Sequence, residues 1–199
     1  MKMKTKEELI NQIIADNHYN KYLEIGTQFG YSVNKIKCHI KHTIDPDVRH
    51  RNLNAKFYNM TSDEFFSDLS HDELYDVIFI DGSHISDQVL ADVCNAGGRL
   101  VSDGCLILHD LMPVNELAQK IPRTCRTWNG DCWKVWYLLM KGGYNVSLEF
   151  YNFDEGIGVV RFGRKGLEQL LVDFSDNLYR LDEVTYKLHF DDYLKRLEL

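Results

Sequence analysis

Leu9, Ile10, Ile13 and Ile14 recur at helical spacing behind Thr5 and Glu8, a T-x-x-E capping pair, which predicts a first helix from about Lys6 to Asp16. The spacing then changes. Lys21 to Ile25 reads as a strand, and Gly26 to Gly30 as a turn leading into a short helix from about Tyr31. Lys41 to Ile44 is a second strand, closed by Asp45-Pro46-Asp47 because proline cannot continue a sheet interior. Ala55 to Asn59 is a third, ahead of another capping pair, Thr61 with Glu64, and a helix through about Leu69. The fourth strand is the clearest: Val77-Ile78-Phe79-Ile80 is continuously apolar, as in a parallel strand covered on both faces, and stops at Asp81-Gly82-Ser83-His84. A helix from about Ile85 to Ala96 follows, then turn signals at Gly97-Gly98 and Asp103-Gly104, then a fifth strand, Cys105 to Leu108, ending on His109-Asp110.

Strands alternating with helices predict an α/β fold, a Rossmann-like doubly wound sheet with right-handed crossovers. The last third breaks the rhythm. Asp131 to Met140 is a helix stopped by Gly142-Gly143, and Tyr144 to Phe150 and Ile157 to Phe162 form an antiparallel edge hairpin, so the sheet is mixed, with about seven strands. Leu167, Leu170, Leu171, Phe174 and Leu178 mark another helix, and a second helical pattern ends the chain. With 199 residues, 44% of them hydrophobic, the chain suits a single domain with one ligand cleft. Its parts are a flanking helix in 1–18, a core over 20–163 and a helical tail over 166–199, which packs on its own domain or on another subunit of a homo-oligomer.

A formal charge of −7 with the basic residues scattered argues against nucleic acid as a partner, and no apolar run has membrane-spanning or signal-peptide length, so no membrane partner and a cytoplasmic location are expected. Cys38, Cys94, Cys105, Cys125 and Cys132 are odd in number and contain no C-x-x-C pair, consistent with reduced packing residues.

In open α/β sheets ligands bind beyond the carboxyl ends of the strands, and Glu24, Asp45, Asp81, His109 and Asp110 all fall at such ends. The first turn has two glycines where a dinucleotide fingerprint has three, which favours a cofactor lacking a pyrophosphate. Asp45 is placed to accept hydrogen bonds from a ribose, or simply to cap its own loop. At this point Leu23-Glu24-Ile25-Gly26-Thr27-Gln28-Phe29-Gly30-Tyr31-Ser32 resembles the first motif of the catechol O-methyltransferase group, E-[LI]-G-x-x-x-G-Y-S, among the class I S-adenosylmethionine-dependent methyltransferases. The resemblance implies S-adenosylmethionine as cofactor. It places the methionine moiety among Gly26, Gln28, Gly30 and Ser32, the ribose on Asp45 and the adenine beside Thr61-Ser62, so that Glu24, Gly26, Thr27, Gln28, Gly30, Ser32, Asp45, Ser62 and Asp81 form the expected cofactor wall. Ser62 alternatively serves only as a helix N-cap.

Metal-dependent members of this group, including those acting on macrolide sugars, carry an acidic ligand after strand four and a pair after strand five. The resemblance therefore implies a divalent ion on Asp81, His109 and Asp110, and a catalytic base at His84, three residues after Asp81. An imidazole can accept a proton at neutral pH. His109 departs from the carboxylate usual at its position, and an imidazole with two carboxylates suits Mn²⁺ or Fe²⁺ better than Mg²⁺. Three plainer alternatives stay open: His109 bonds Asp110 with no ion, His84 caps the next helix, or His84 is itself an ion ligand. Asp131 reads as the N-cap of the helix that follows, with Trp133 and Trp136 packing on the sheet, unless Trp133 or Arg123 reaches the acceptor. The expected activity is methylation of a small-molecule hydroxyl, a sugar or nucleotide-sugar by resemblance. A metal-independent methyltransferase and a non-catalytic adenosyl-ligand-binding module remain the alternatives.

Overall fold

The computed structural model describes residues 3–47, 49, 52–68, 73–163, 165–176 and 181–199. Its elements run α1 (Lys6–Asn17), β1 (Lys21–Ile25), β2 (Ile40–Ile44), β3 (Lys56–Tyr58), α2 (Ser62–Ser67), β4 (Tyr75–Ile80), α3 (Ser86–Gly97), β5 (Leu100–Leu108), α4 (Trp133–Lys141), β6 (Val146–Tyr151), β7 (Ile157–Phe162), α5 (Gly166–Ser175) and α6 (Tyr186–Arg196). The seven strands lie in the order β3-β2-β1-β4-β5-β7-β6. The first five are parallel, and β7 runs antiparallel to both β5 and β6. This is the mixed, doubly wound α/β sheet with a C-terminal hairpin that the periodicity predicts. Among the described residues no helix is long and apolar enough to cross a membrane.

Alternating side chains of the central strands go to two apolar layers, as the period of two requires. Leu23, Ile25, Ile78, Ile80, Leu106 and Leu108 join α3, α4 and the C-terminal helices on one face. Tyr22, Val77, Phe79, Cys105 and Ile107 meet α1 on the other. The parallel register pairs Ile25 with Ile44 and Ile80, and Ile80 with Leu108. Gly26, Asp45, Asp81 and His109 are the next residues of their chains, so they emerge along one edge.

Local details differ from the periodicity in four places. The expected helix after the first turn is a single 3-10 turn, Val33–Lys35. Asp103-Gly104 lies inside β5, where the register against β4 shifts between Tyr75↔Leu100 and Val77↔Cys105; a bulge absorbs the turn-forming pair. Asp131 does not cap α4, whose N-cap is Cys132 with no side-chain bond. Thr5 caps α1 by accepting from Glu8 N, but the Glu8 carboxylate turns to Lys4 N at 2.8 Å instead of closing the box. At α2 both halves of the Thr61–Glu64 box are present. Leu69 and Leu178, assigned to helices above, lie outside the described residues. The tail packs back on its own chain: Phe190 and Tyr193 lie 5.3 Å, ring to ring, from the buried Trp133, and Tyr193 donates to Leu111 O at 2.7 Å. All five cysteines are unpaired.

Candidate active site

Gly26 opens the turn after β1 at φ +96°, and a Cβ there would lie 2.6 Å from Gly82 Cα, so the turn can press against the β4 exit only as glycine. Asp45 then fastens it. One carboxylate oxygen accepts from Thr27 N (2.9 Å) and Gln28 N (2.8 Å), the other from Asp47 N at 2.8 Å. Asp45 thus caps its own loop and at the same time lines a cavity of about 700 Å³. That cavity is walled by Glu24, Gly26, Thr27, Gln28, Ser32, Asp45, Ser62 and Asp81, eight of the nine residues of the expected cofactor wall. Gly30 is the exception: at φ +77° it donates to Thr27 O and closes the turn from behind, its lack of a side chain serving the backbone. Thr27 presents backbone, because its hydroxyl is buried 2.5 Å from that of Thr43.

Glu24 is fully buried and accepts from Tyr22 Oη at 2.6 Å; burial pushes its carboxyl up to about 8 despite that bond. Ser62 is not the N-cap of α2, a place Thr61 takes, and donates instead to Asp92 at 2.6 Å. Burial raises Asp92 to about 6, against the pull of Ser62 and Gln88. Neither Asp92 nor Gln88 carries any motif, so periodicity alone placed them merely on a helix face.

Beyond the turn, Asp81, His84, His109 and Asp110 converge from the ends of β4 and β5. His109 Nδ1 lies 3.1 Å from both Asp81 Oδ1 and Asp110 Oδ2, and Nε2 donates to Asp154 O at 2.8 Å. Burial disfavours a charged ring, but the two carboxylates outweigh it and raise the pKa to about 10. The same pairing, with Lys6, holds Asp81 below the usual carboxylate range although burial opposes it, and His109 does likewise for Asp110. His109 is therefore engaged at both nitrogens, whereas the ligand-capable atoms that lie within 4.8 Å of one another belong to Asp81, His84 and Asp110. Two carboxylates and an imidazole at that spacing fit a small divalent ion. The ring whose ligand-capable atom joins those of the two carboxylates at this spacing is that of His84, while His109 is hydrogen-bonded at both nitrogens.

His84 is not a helix cap. Its Nδ1 lies 3.1 Å from Trp128 O, its ring stacks on that indole at 5.1 Å, and its Nε2 lies 3.4 Å from Asp110 Oδ2. A carbonyl only accepts, so Nδ1 carries a proton, and Nε2 is the nitrogen turned toward the Asp110 carboxylate. The loop before α4 holds the ring there. Asp131 N donates to His84 O (3.0 Å), the Asp131 carboxylate caps α3 by accepting from Ser86 N (2.7 Å) and Ser86 Oγ (3.0 Å), and Lys134 balances it at 2.9 Å. Gly130, at φ +64°, is required because any Cβ would overlap the His84 carbonyl. Asn129 is fully buried and donates to Asp110 Oδ1 (2.6 Å) and Glu155 Oε2 (2.7 Å). Trp133 is fully buried in the core and is not part of the cavity wall, and Arg123 lies over Trp128 at 5.7 Å.

The strand order, with its antiparallel β5-β7-β6 end, is that of the Rossmann-like methyltransferase fold. Residues 23–111 match a protein family described as a methyltransferase domain. The fold is shared with an O-methyltransferase from Bacillus cereus solved with S-adenosylhomocysteine, at 16% identity over 82% of this chain and 83% of that one, TM-score 0.61. It is shared also with the methyltransferase PaMTH1 from Podospora anserina (13% identity, 82% and 80%, TM-score 0.57). The O-methyltransferase TomG from Streptomyces achromogenes is similar too (13%, 79% and 80%, TM-score 0.55). No curated protein matches the sequence.

Proposed function

We propose that the protein transfers a methyl group from S-adenosylmethionine to a hydroxyl of a small molecule, a sugar or nucleotide-sugar, with a divalent ion assisting. The observation that carries this reading is the convergence of Asp81, His84 and Asp110 at one wall of the cavity whose other wall is the glycine turn. The sugar class rests on the resemblance of the Asp81-to-His84 and Leu108-to-Asp110 segments to sugar methyltransferases.

S-adenosylmethionine, when bound, supplies an electrophilic methyl carbon, and an ion held by Asp81 and Asp110 supplies charge that lowers the pKa of an acceptor hydroxyl. The chain has to orient the acceptor and receive its proton. His84 is built for the second task, because Trp128 O fixes Nδ1 as the donor and leaves Nε2 to accept. The imidazolium so formed sits beside Asp110, which stabilises it. Nε2 cannot accept that proton and ligate an ion at once.

S-adenosylhomocysteine and Mn²⁺ titrations, followed by transfer of labelled methyl to a panel of hydroxylated acceptors, test the reading. If His84 is the base, His84→Ala should lower kcat by about 10²–10⁴-fold with both affinities nearly unchanged. Loss of Mn²⁺ affinity would instead make it a ligand, full turnover in chelated protein would remove the ion, and cofactor binding without transfer to any acceptor would leave a binding module.

A further inference from the structure

Lys6 belongs to none of the motifs, yet it is part of the site. It opens α1, and its Nζ lies 2.6 Å from Asp81 Oδ2, across 75 residues of chain, with both side chains largely shielded. Its backbone N–H donates to Asp154 Oδ2 at 2.6 Å, so the helix start is tied to the site at two points. The stem passes Phe79, with the ammonium 5.6 Å from the ring centre. Lys6 therefore lines the same cavity as His84 and Asp110.

The charges around Asp81 are consequently already matched. His109 Nδ1 takes one Asp81 oxygen and Lys6 the other, so both oxygens of that carboxylate are already engaged by the chain itself. A divalent ion among Asp81, His84 and Asp110 would sit within a few ångströms of an ammonium that holds one of its ligands, and like charges at that range repel strongly where water is excluded. We propose that Lys6 is the resident cation of this site and that a divalent ion binds by displacing it from Asp81. Ion affinity is then set by that exchange, and ion binding frees the side chain that anchors the start of α1. The inference rests on the ion reading above.

Mn²⁺ binding to the whole protein, followed by loss of the free-ion paramagnetic resonance signal, tests it without an acceptor. Lys6→Met keeps the stem over Phe79 and removes the charge; its Kd for Mn²⁺ should fall roughly tenfold or more, the scale of deleting one like charge nearby. Lys6→Arg should stay near the parent, Lys6→Gln should follow Lys6→Met, and melting curves report folding of each. Asp81→Asn should abolish binding. If Asp81→Asn abolishes binding while Lys6→Met and Lys6→Gln bind no tighter than the parent, Lys6 and the ion do not compete, and the ion reading stands alone. If neither the parent nor Lys6→Met takes up Mn²⁺, both ideas fall.

Discussion

Gly26 and Glu24 both line the cavity, and both are governed by what lies behind them. Gly26 reads from the motif as a place where a cofactor approaches the chain, which suggests that a bulky substitution would block binding and spare the fold. The structure corrects that expectation, since a Cβ at φ +96° meets the Asp81–Gly82 backbone before it meets any ligand. Gly26→Ala should therefore cost stability, about 2 kcal/mol or more from the left-handed backbone and the overlap together, visible as a lowered Tm without ligand. An unchanged Tm would return the glycine to a purely ligand-facing role. Glu24 makes a prediction in pH. Its carboxyl lies near 8 in the folded chain and near its ordinary value unfolded, so the folded state holds the extra proton between the two. The stability it confers is complete below about 4.5 and is lost as pH rises through 8. The Tm of the parent relative to Glu24→Gln should accordingly fall between pH 5 and pH 8, and a flat difference would mean that Glu24 is ionised throughout.

At the scale of elements, the segment from Trp128 to Asp131 joins two functions that sequence spacing separates. Asp131 precedes α4 by two residues and reads as its cap, but its carboxylate reaches back to the first turn of α3, 45 residues earlier, where the N-cap residue Ile85 has no side-chain acceptor to offer. The backbone N–H of Asp131 donates to His84 O. Asp131→Ala should destabilise the protein by about 2 kcal/mol, from the lost cap and the stranded Lys134 ammonium, with Asp131→Asn recovering part through Ser86 N. In ¹⁵N spectra of the imidazoles, the His84 ring should be protonated on Nδ1 in the parent and should lose that fixed tautomer in Asp131→Ala. Retention of the tautomer would assign its control to Trp128 alone.

At the scale of the molecule, the C-terminal helices decide how the end of the site is supported. α6 covers Trp133, and Tyr193 Oη bonds the carbonyl of Leu111, the residue after Asp110. Tyr193→Phe leaves that buried carbonyl without this donor and should lower stability by about 1–2 kcal/mol. Chemical denaturation would measure it, and a midpoint equal to the parent's would show that the tail merely rests on the core.

What the sequence determined by itself is local or periodic: the strand and helix identities, the parallel core with its hairpin, the glycine turn, and acidic residues at strand ends. Hydrophobic period and turn chemistry act over a few residues, and the register of parallel strands brings their carboxyl ends to one edge. Legible in this way were Glu24, Asp45, Asp81, His109 and Asp110, whereas His84 was singled out only by the family resemblance. Only the tertiary structure decided what these groups do to each other. That His109 turns both nitrogens inward, that His84 faces Asp110, that Lys6 and Asn129 are present and that Asp131 serves another helix all depend on contacts between residues far apart in the chain. Such contacts leave no period in a sequence, because an ammonium or an amide finds its partner through the packing of whole elements, and the same residues on an unpacked helix face would be indistinguishable from solvated ones.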